Sequence, residues 1–384
     1  MDVWFGKMEA LVIAASFWSG RRVLLTGHTG FKGAWTALLL RRLGSDVYGL
    51  ALPPSSDNGI FVAGDVERDV HNSLGDIRDV GIVSRALADS RPHVVIHMAA
   101  QSLVRESYAD PVGTYATNVM GTVNVLECVR HSPGIEAVVI VTSDKCYDNV
   151  GEARGYSESE PLGGQDPYSS SKGCAELVTS AYRHSFFLND VAPPIASARA
   201  GNVIGGGDWA EDRLVPDAMR AFFAGTALKV RNPHAVRPWQ YVLDPILAYL
   251  ALAERLAAGG RDFAEAWNFG PAADSEVSVA EICDRLCQAW GQGATWSRDG
   301  GDHPHEAAIL KLDCSKARAR LRWQPLFDLE HALELTVDWY KALERGADMR
   351  AFTLAQVNAV LSNSGVADRL NESEAVLDFF ARTR

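Results

Sequence analysis

Cysteine is scarce in this chain. The six residues Cys128, Cys146, Cys174, Cys283, Cys287 and Cys314 form no C-x-x-C pair and no zinc spacing. That excludes a disulfide scaffold and a thiolate metal centre, and it points to reduced thiols in a cytoplasmic protein. Positive charge is also in deficit. The 37 Lys and Arg stand against 48 Asp and Glu, a net charge of -11. Nucleic acid and anionic membranes are therefore excluded as main partners. No apolar run reaches the roughly 20 residues of a membrane span. Internal repeats and low-complexity segments are absent. Residues 1–20 read as a short extension rather than a cleaved signal. Ala10-Leu-Val-Ile-Ala-Ala15 is apolar, but Glu9 precedes it and only Lys7 is basic.

What is present is a globular composition, 47% hydrophobic, long enough for one large or two moderate domains. Arg22-Val-Leu-Leu-Thr26 reads as a buried strand. Gly27-His-Thr-Gly-Phe-Lys-Gly33 follows as a tight turn and helix start, with Asp46-Val-Tyr-Gly-Leu-Ala-Leu52 as the next strand. That is a βαβ unit with glycines where backbone N–H groups can approach a pyrophosphate. Gly27, His28, Thr29, Gly30, Phe31 and Gly33 are the expected dinucleotide contacts. One feature is missing. The second strand ends in Ala51-Leu52-Pro53, without the acid that selects NAD or the Arg that selects NADP. Asp46 lies at the wrong end, so this position leaves the two open.

Later strand ends add cofactor candidates: Asp76 and Ile77, then Ala99, Ala100 and Gln101 after His93-Val-Val-Ile-His97. His97 reads as a core histidine. Asn118, in the helix Tyr115 to Leu126, is a further cofactor candidate; it could orient a catalytic water, but it reads as structural.

The chemistry concentrates in Val141-Thr-Ser-Asp-Lys-Cys-Tyr147 and Tyr168-Ser-Ser-Ser-Lys172. Tyr168 and Lys172, four apart, share one helix face. The Lys charge is expected to lower the Tyr pKa from about 10, giving a base for a sugar hydroxyl. Ser143 can bond the same oxygen. Asp144 and Lys145 add an acid and a base that alcohol oxidation alone does not need. The set suggests oxidation followed by elimination.

Strands and helices alternate to about residue 200. The fold expected is α/β, a Rossmann-type doubly wound parallel sheet over residues 21–200, with a smaller C-terminal α/β substrate-binding domain at 201–345. Parts of 238–270 return to the first domain, and 346–384 form a tail. Three loops are expected in the second half. Ser197 to Trp209 leaves the sheet and supplies Asn202, Asp208 and Trp209, with Arg213 beyond it. Arg231 to Tyr241 supplies Arg231 and Arg237 beside Trp239. Arg298 to Glu306 gathers His303, His305 and Glu306. Arginines suit a diphosphate and aromatics a base, so a nucleotide sugar is the expected ligand. The His-Pro-His-Glu spacing matches no common metal motif, and none is expected.

From about residue 20 to 340 these segments resemble the extended short-chain dehydrogenase/reductase superfamily. Within it they are similar to the CDP-glucose 4,6-dehydratases. Beyond the motifs above, the resemblance rests on Phe17-Trp18, His28-Thr29, Gly163 to Leu177, Gly201 to Trp209, Arg237-Pro-Trp-Gln-Tyr-Val242 and His303 to Glu306. Lys145 discriminates, because relatives acting on dTDP-glucose place Asp-Glu where this chain has Asp144-Lys145. The resemblance implies NAD as cofactor and a homo-oligomer paired through the helices bounded by Asn118 and Tyr168. It also implies roles. Tyr168, helped by Lys172 and Ser143, takes the 4-hydroxyl proton as C4 is oxidised. Lys145 takes the C5 proton, or stabilises the enolate while water does. Asp144 protonates the departing C6 hydroxyl. The alternatives are a 4-epimerase, a dehydratase for another nucleotide, and a non-catalytic NAD-binding protein.

Overall fold

The computed structural model describes residues 13–189, 191–301 and 309–363. Strands β1 (Arg22–Thr26), β2 (Asp46–Ala51), β3 (His71–Leu74), β4 (Val94–His97), β5 (Ala137–Val141) and β6 (Ile195–Ala200) alternate with helices. After β7 (Asn202–Ile204), β8 (Leu228–Val230) and β9 (Val236–Tyr241), strand β10 (Ala266–Phe269) returns to the first sheet. The order is β10-β6-β5-β4-β1-β2-β3, and every pairing is parallel. β4, β5 and β6 are buried throughout, as sheets covered on both faces demand. This is the Rossmann-type α/β sheet expected.

Two apolar layers sandwich the sheet. Leu24, Val95, Val138 and Ile140 meet Val83, Leu87, Val125 and Val129 of helices Val80–Ser90 and Gly121–Arg130. Val23, Leu25, Ile96 and Val139 point the other way, onto Trp35, Leu38 and Ile246 of helices Phe31–Arg42 and Leu243–Ala257. That second cluster continues without a break through Trp239, Trp290 and Trp339 to Leu361. The rest of the C-terminal half is a small sheet, β11 (Glu276–Ser278)-β9-β7, a strand pair, β12 (Trp296–Arg298)-β8, and helices Leu214–Phe223, Val279–Trp290 and Leu329–Glu344.

Strand order reverses between β1 and β4, and a crevice opens at their carboxyl ends. Thr26 ties this point together. Its hydroxyl meets His97 Nδ1 at 2.7 Å and accepts from the N–H groups of Met98 and Ala99, both at 3.1 Å.

In the course of the chain, the structure departs from the sequence reading at strand β9 and in the tail. The segment 231–241 is a loop only to Ala235. From Val236 it is strand β9, which buries Trp239 and Arg237. The first part of the tail is no appendage either. Helix Met349–Asn363 buries Val357 and Leu361, and Gln356 accepts from Tyr241 Oη at 3.1 Å.

One buried and one partly buried carboxyl give folding a pH dependence. Burial pushes Asp244 up to about 8 and Glu254 up to about 7. Asp244 accepts from the Leu326 N–H at 2.6 Å, and its other oxygen has no partner among the described residues. Both folded values lie above the unfolded ones, so folding binds protons. Their contribution is full below about pH 4 and is lost as pH rises toward 7 and 8. Melting temperature is expected to fall between pH 6 and 8. Asp244→Asn, which cannot ionise, removes part of that drift, on the order of a few degrees. Parallel melting curves across this range check it, and an unchanged slope counts against it.

Candidate active site

The crevice is a single large cleft of about 1020 Å³, running from the β1 turn across β4 and β5 to the C-terminal loops. Such a volume suits two ligands end to end rather than one. Nine lysines and arginines and seven aspartates line it among the described residues, so a chain of net charge -11 still presents a locally basic site.

The glycines divide the work at one end. Gly27 has φ +79°, and a Cβ there would come within 2.8 Å of Ala99 N. A Cβ on Gly33 would lie 2.0 Å from Gly27 O, so helix Phe31–Arg42 could not dock. Gly30 differs. Its φ is -80°, and a Cβ would meet nothing closer than 3.4 Å. Protein packing does not require that glycine, whereas a ligand backed onto the turn does. No side chain caps this helix N-terminus, which leaves its N–H groups for a phosphate. The residues therefore fit a dinucleotide. Gly30→Ala is expected to fold normally and to weaken NAD binding at least tenfold, read by titration calorimetry. Equal affinity would show that nothing packs against the turn.

Thr29, Phe31, Asp76, Ile77, Ala99, Ala100 and Gln101 also line the cleft. Two cofactor candidates do not. His28 is fully buried, with Nε2 at 2.7 Å from Asn72 Oδ1 and its ring edge-on to Phe61. It fills space that Gly49 leaves open beneath β2. Asn118 clamps the loop after β4 to the next helix. Its Oδ1 accepts from Gln101 N, and its Nδ2 donates to Gln101 O and Ser171 Oγ, all within 2.9 Å. These bonds suit a structural role. His97 is a core histidine held by Thr26 and Thr122.

At the centre, β5 leads through Thr142 into a short turn bearing Ser143, Asp144 and Lys145, and helix Pro167–Phe186 presents Tyr168 and Lys172. All five line the cleft. Ser143 donates to Asp144 Oδ1 at 3.0 Å, and Ser143 Oγ accepts from Lys145 N at 3.2 Å. Asp144 is 2% exposed, and its Oδ2 has no partner among the described residues. Burial raises its pKa, opposed by Lys145, Ser143 and Arg237. A carboxyl that keeps its proton beyond the usual range is suited to general acid work.

The expected lowering of Tyr168 is not what the structure gives. Burial pushes the phenol up to about 12, with Ser143 and Arg213 pulling against it and Asp144 adding to it. Lys172, also buried, falls to about 8. Desolvation of both groups outweighs their separation of one helical turn.

The C-terminal half contributes Asn202, Asp208, Trp209, Arg213, Arg231 and Arg237 to the same cleft. Arg213 pairs with Asp208 at 2.9 Å and donates to Ser102 Oγ at 2.7 Å. Arg231 and Arg105 share Asp212, at 2.6 and 3.0 Å. Trp209 stacks on Phe223, and Trp239 donates from its indole to Val277 O. His303, His305 and Glu306 lie outside the described residues.

Sequence reasoning passed over Lys32, Arg105, Asp212 and Tyr249. Lys32 lines the cleft at 5.8 Å from the Tyr249 ring centroid. Burial, with Lys172 and Arg213 nearby, lowers it to about 7. A lysine inside a glycine turn at a helix N-terminus, where the dipole opposes positive charge, was the available signal.

Fold and cleft together define an enzyme of the short-chain dehydrogenase/reductase type. The profile of the GDP-mannose 4,6 dehydratase family matches residues 24–336, and the chain belongs to that family. It is 48% identical over 355 residues to the CDP-glucose 4,6-dehydratase of Salmonella typhimurium, covering 91% of this chain and 99% of that one. The dTDP-glucose 4,6-dehydratase DesIV of Streptomyces venezuelae, solved with NAD bound, superposes with a TM-score of 0.72 at 25% identity, covering 85% and 98%. A UDP-glucose 4-epimerase of Thermotoga maritima shares the fold, with a TM-score of 0.70 at 23% identity over 84% and 99%.

Proposed function

We propose that this protein is an NAD-dependent CDP-glucose 4,6-dehydratase, a hydro-lyase that converts CDP-D-glucose to CDP-4-dehydro-6-deoxy-D-glucose. The observation that carries the reading is the buried acid Asp144, one oxygen held by Ser143 and the other without a partner among the described residues, beside Lys145, Tyr168 and Lys172 in one cleft. An epimerase expels no hydroxyl and has no use for an acid that would protonate one. The 48% identity to a CDP-glucose enzyme supports the nucleotide.

The chain's residues divide the work as follows. Tyr168 accepts the 4-hydroxyl proton, with Ser143 bonding the same oxygen. NAD, when bound, takes up and later returns the hydride. Oxidation at C4 acidifies the C5 hydrogen, which Lys145 removes as the neutral amine; in its charged form it would instead stabilise the enolate while water takes the proton. Asp144 gives its proton to the C6 hydroxyl, and water departs. Lys145 returns its proton to C5 as C6 is reduced. Arg213, Arg231 and Arg237 are assigned to the diphosphate, and Asn202, Asp208 and Trp209 to the rest of the substrate. Residues 21–200 and 201–345 are taken as cofactor and substrate portions.

A homodimer in the cytoplasm is part of the proposal. Val112, Tyr115, Met120 and Leu177, on the helical segments around Asn118 and Tyr168, are 37–77% exposed, an apolar face suited to a second copy. All six cysteines are free, and no helix among the described residues is long and apolar enough to cross a membrane.

The test is mass spectrometry of purified protein with NAD and CDP-glucose, alongside dTDP-, UDP- and GDP-sugars. Loss of one water from CDP-glucose, with no net reduced cofactor, is expected. Water lost from another sugar instead would move the base assignment, and no change in any sugar would overturn the reading.

A further inference from the structure

Beyond the reacting groups, the fold buries an anion against the helix that carries two of them. Tyr168, Lys172 and Glu176 are spaced four apart, one stripe along helix Pro167–Phe186. Glu176 is 3% exposed. It accepts from Thr142 Oγ1 at 2.5 Å, Ser197 Oγ at 2.7 Å and Arg199 Nη2 at 2.9 Å. Thr142 immediately precedes Ser143 at the end of β5, and Ser197 and Arg199 belong to β6. Arg199 donates onward to Tyr147 Oη at 2.8 Å, which donates to Asn268 Oδ1 of β10 at 2.7 Å. One carboxylate thus joins the catalytic helix to the strand end bearing Ser143 and Asp144.

The surroundings of Lys172 give that carboxylate a second task. Lys172 has Tyr168 and Glu176 one turn to either side on its own helix, and the charge states of Cys146 beyond the end of β5, His97 on β4 and Lys32 on helix Phe31–Arg42 are coupled to its own. Burial keeps His97 and Cys146 uncharged, and Lys32 is a cation or neutral. Glu176 is the anion in this group. It is itself faced by Arg199 and Arg183, and Arg199, with the Thr142 and Ser197 hydroxyls, keeps it ionised.

We propose that Glu176 is a positioning residue: it holds Lys172 in its ammonium form and pins the strand end of Ser143 and Asp144 to the helix of Tyr168. The proposal rests on the roles given to Tyr168 and Lys172 above. Burial pulls Lys172 down, and Glu176 is the first opposing influence. Glu176→Gln removes that influence and leaves the Arg199 charge uncompensated. Both changes make Lys172 lose its proton at lower pH.

The test reads Lys172 directly. The chain has eight lysines, few enough for isotope-labelled lysine NMR, with the Lys172 signal assigned by Lys172→Met. In Glu176→Gln its titration midpoint is expected to fall by about one pH unit, tenfold in proton affinity. The alkaline limb of the dehydration rate moves the same way. Glu176→Asp keeps the charge and holds the midpoint near wild type, which a purely structural role does not predict. Breaking a buried pair can unfold a protein, so Glu176→Gln/Arg199→Met, which removes both charges, is measured as well. It shifts the midpoint less, in the same direction. An unmoved midpoint in either folded variant overturns the proposal. Wild-type protein that releases no water from CDP-glucose counts against the dehydratase reading alone, because the Lys172 midpoint is measured without substrate.

Discussion

Asp144→Asn is expected to slow water elimination by about 10²- to 10⁴-fold while C4 oxidation continues. The side chains are nearly isosteric, and Ser143 can still donate to the remaining oxygen, as it does to Asp144 Oδ1 at 3.0 Å. What disappears is a transferable proton. Burial raises the Asp144 pKa, so the wild-type carboxyl enters the cycle protonated over more of the pH range than an exposed aspartate would. An amide can bond the C6 oxygen and cannot protonate it. Oxidised sugar and reduced cofactor should therefore accumulate, visible by absorbance, before any loss of mass. Rapid-quench mass spectrometry separates the two steps. Water loss at the wild-type rate would remove Asp144 from the mechanism. A variant that neither oxidises nor dehydrates would show that Asp144 holds the site together instead.

Gly33→Ala carries the largest expected structural penalty. The added Cβ would lie 2.0 Å from Gly27 O and 2.8 Å from His28 Cα, both backbone atoms in the turn that starts the fold. Nothing there can rotate aside. Helix Phe31–Arg42 must lift from β1, and its buried run Ala34 to Leu40 loses contact with the sheet. A cost of about 3 kcal/mol or more is expected, at the upper end for one methyl group. Thermal melting without ligands measures it. The contrast with Gly30→Ala, which should melt like wild type, separates a glycine needed by the fold from one needed by the cofactor.

Much of this was legible in the chain because it is local. The turn Gly27 to Gly33, the apolar strands and the Tyr168-Lys172 spacing each lie within a few residues and follow fixed periods. The side-chain direction of His28 was not legible. It depends on Gly49 of the neighbouring strand, which leaves a hole that the imidazole fills. Strand β9 was hidden because Arg237 and Pro238 read as loop chemistry, and only pairing with β7 and β11 makes that stretch extended. The pKa of Tyr168 was misjudged for a related reason. Proximity to Lys172 is visible in sequence, and the depth at which both groups are buried is not. Glu176 and Asp212 matter through partners distant in the chain, Arg199 and Thr142 for one, Arg105 and Arg231 for the other.

The unbroken apolar cluster from Ile13 to Leu361 has a consequence for engineering. It runs beneath the sheet and on into the C-terminal half, so the two halves have no seam at which to part. Heat should melt the described chain in one calorimetric transition, not two. A chimaera joined near residue 200, built to borrow another enzyme's nucleotide preference, would cut through Trp35, Tyr241 and Trp339 packing rather than a linker. Preference is better exchanged at the rim of the cleft, one loop residue at a time.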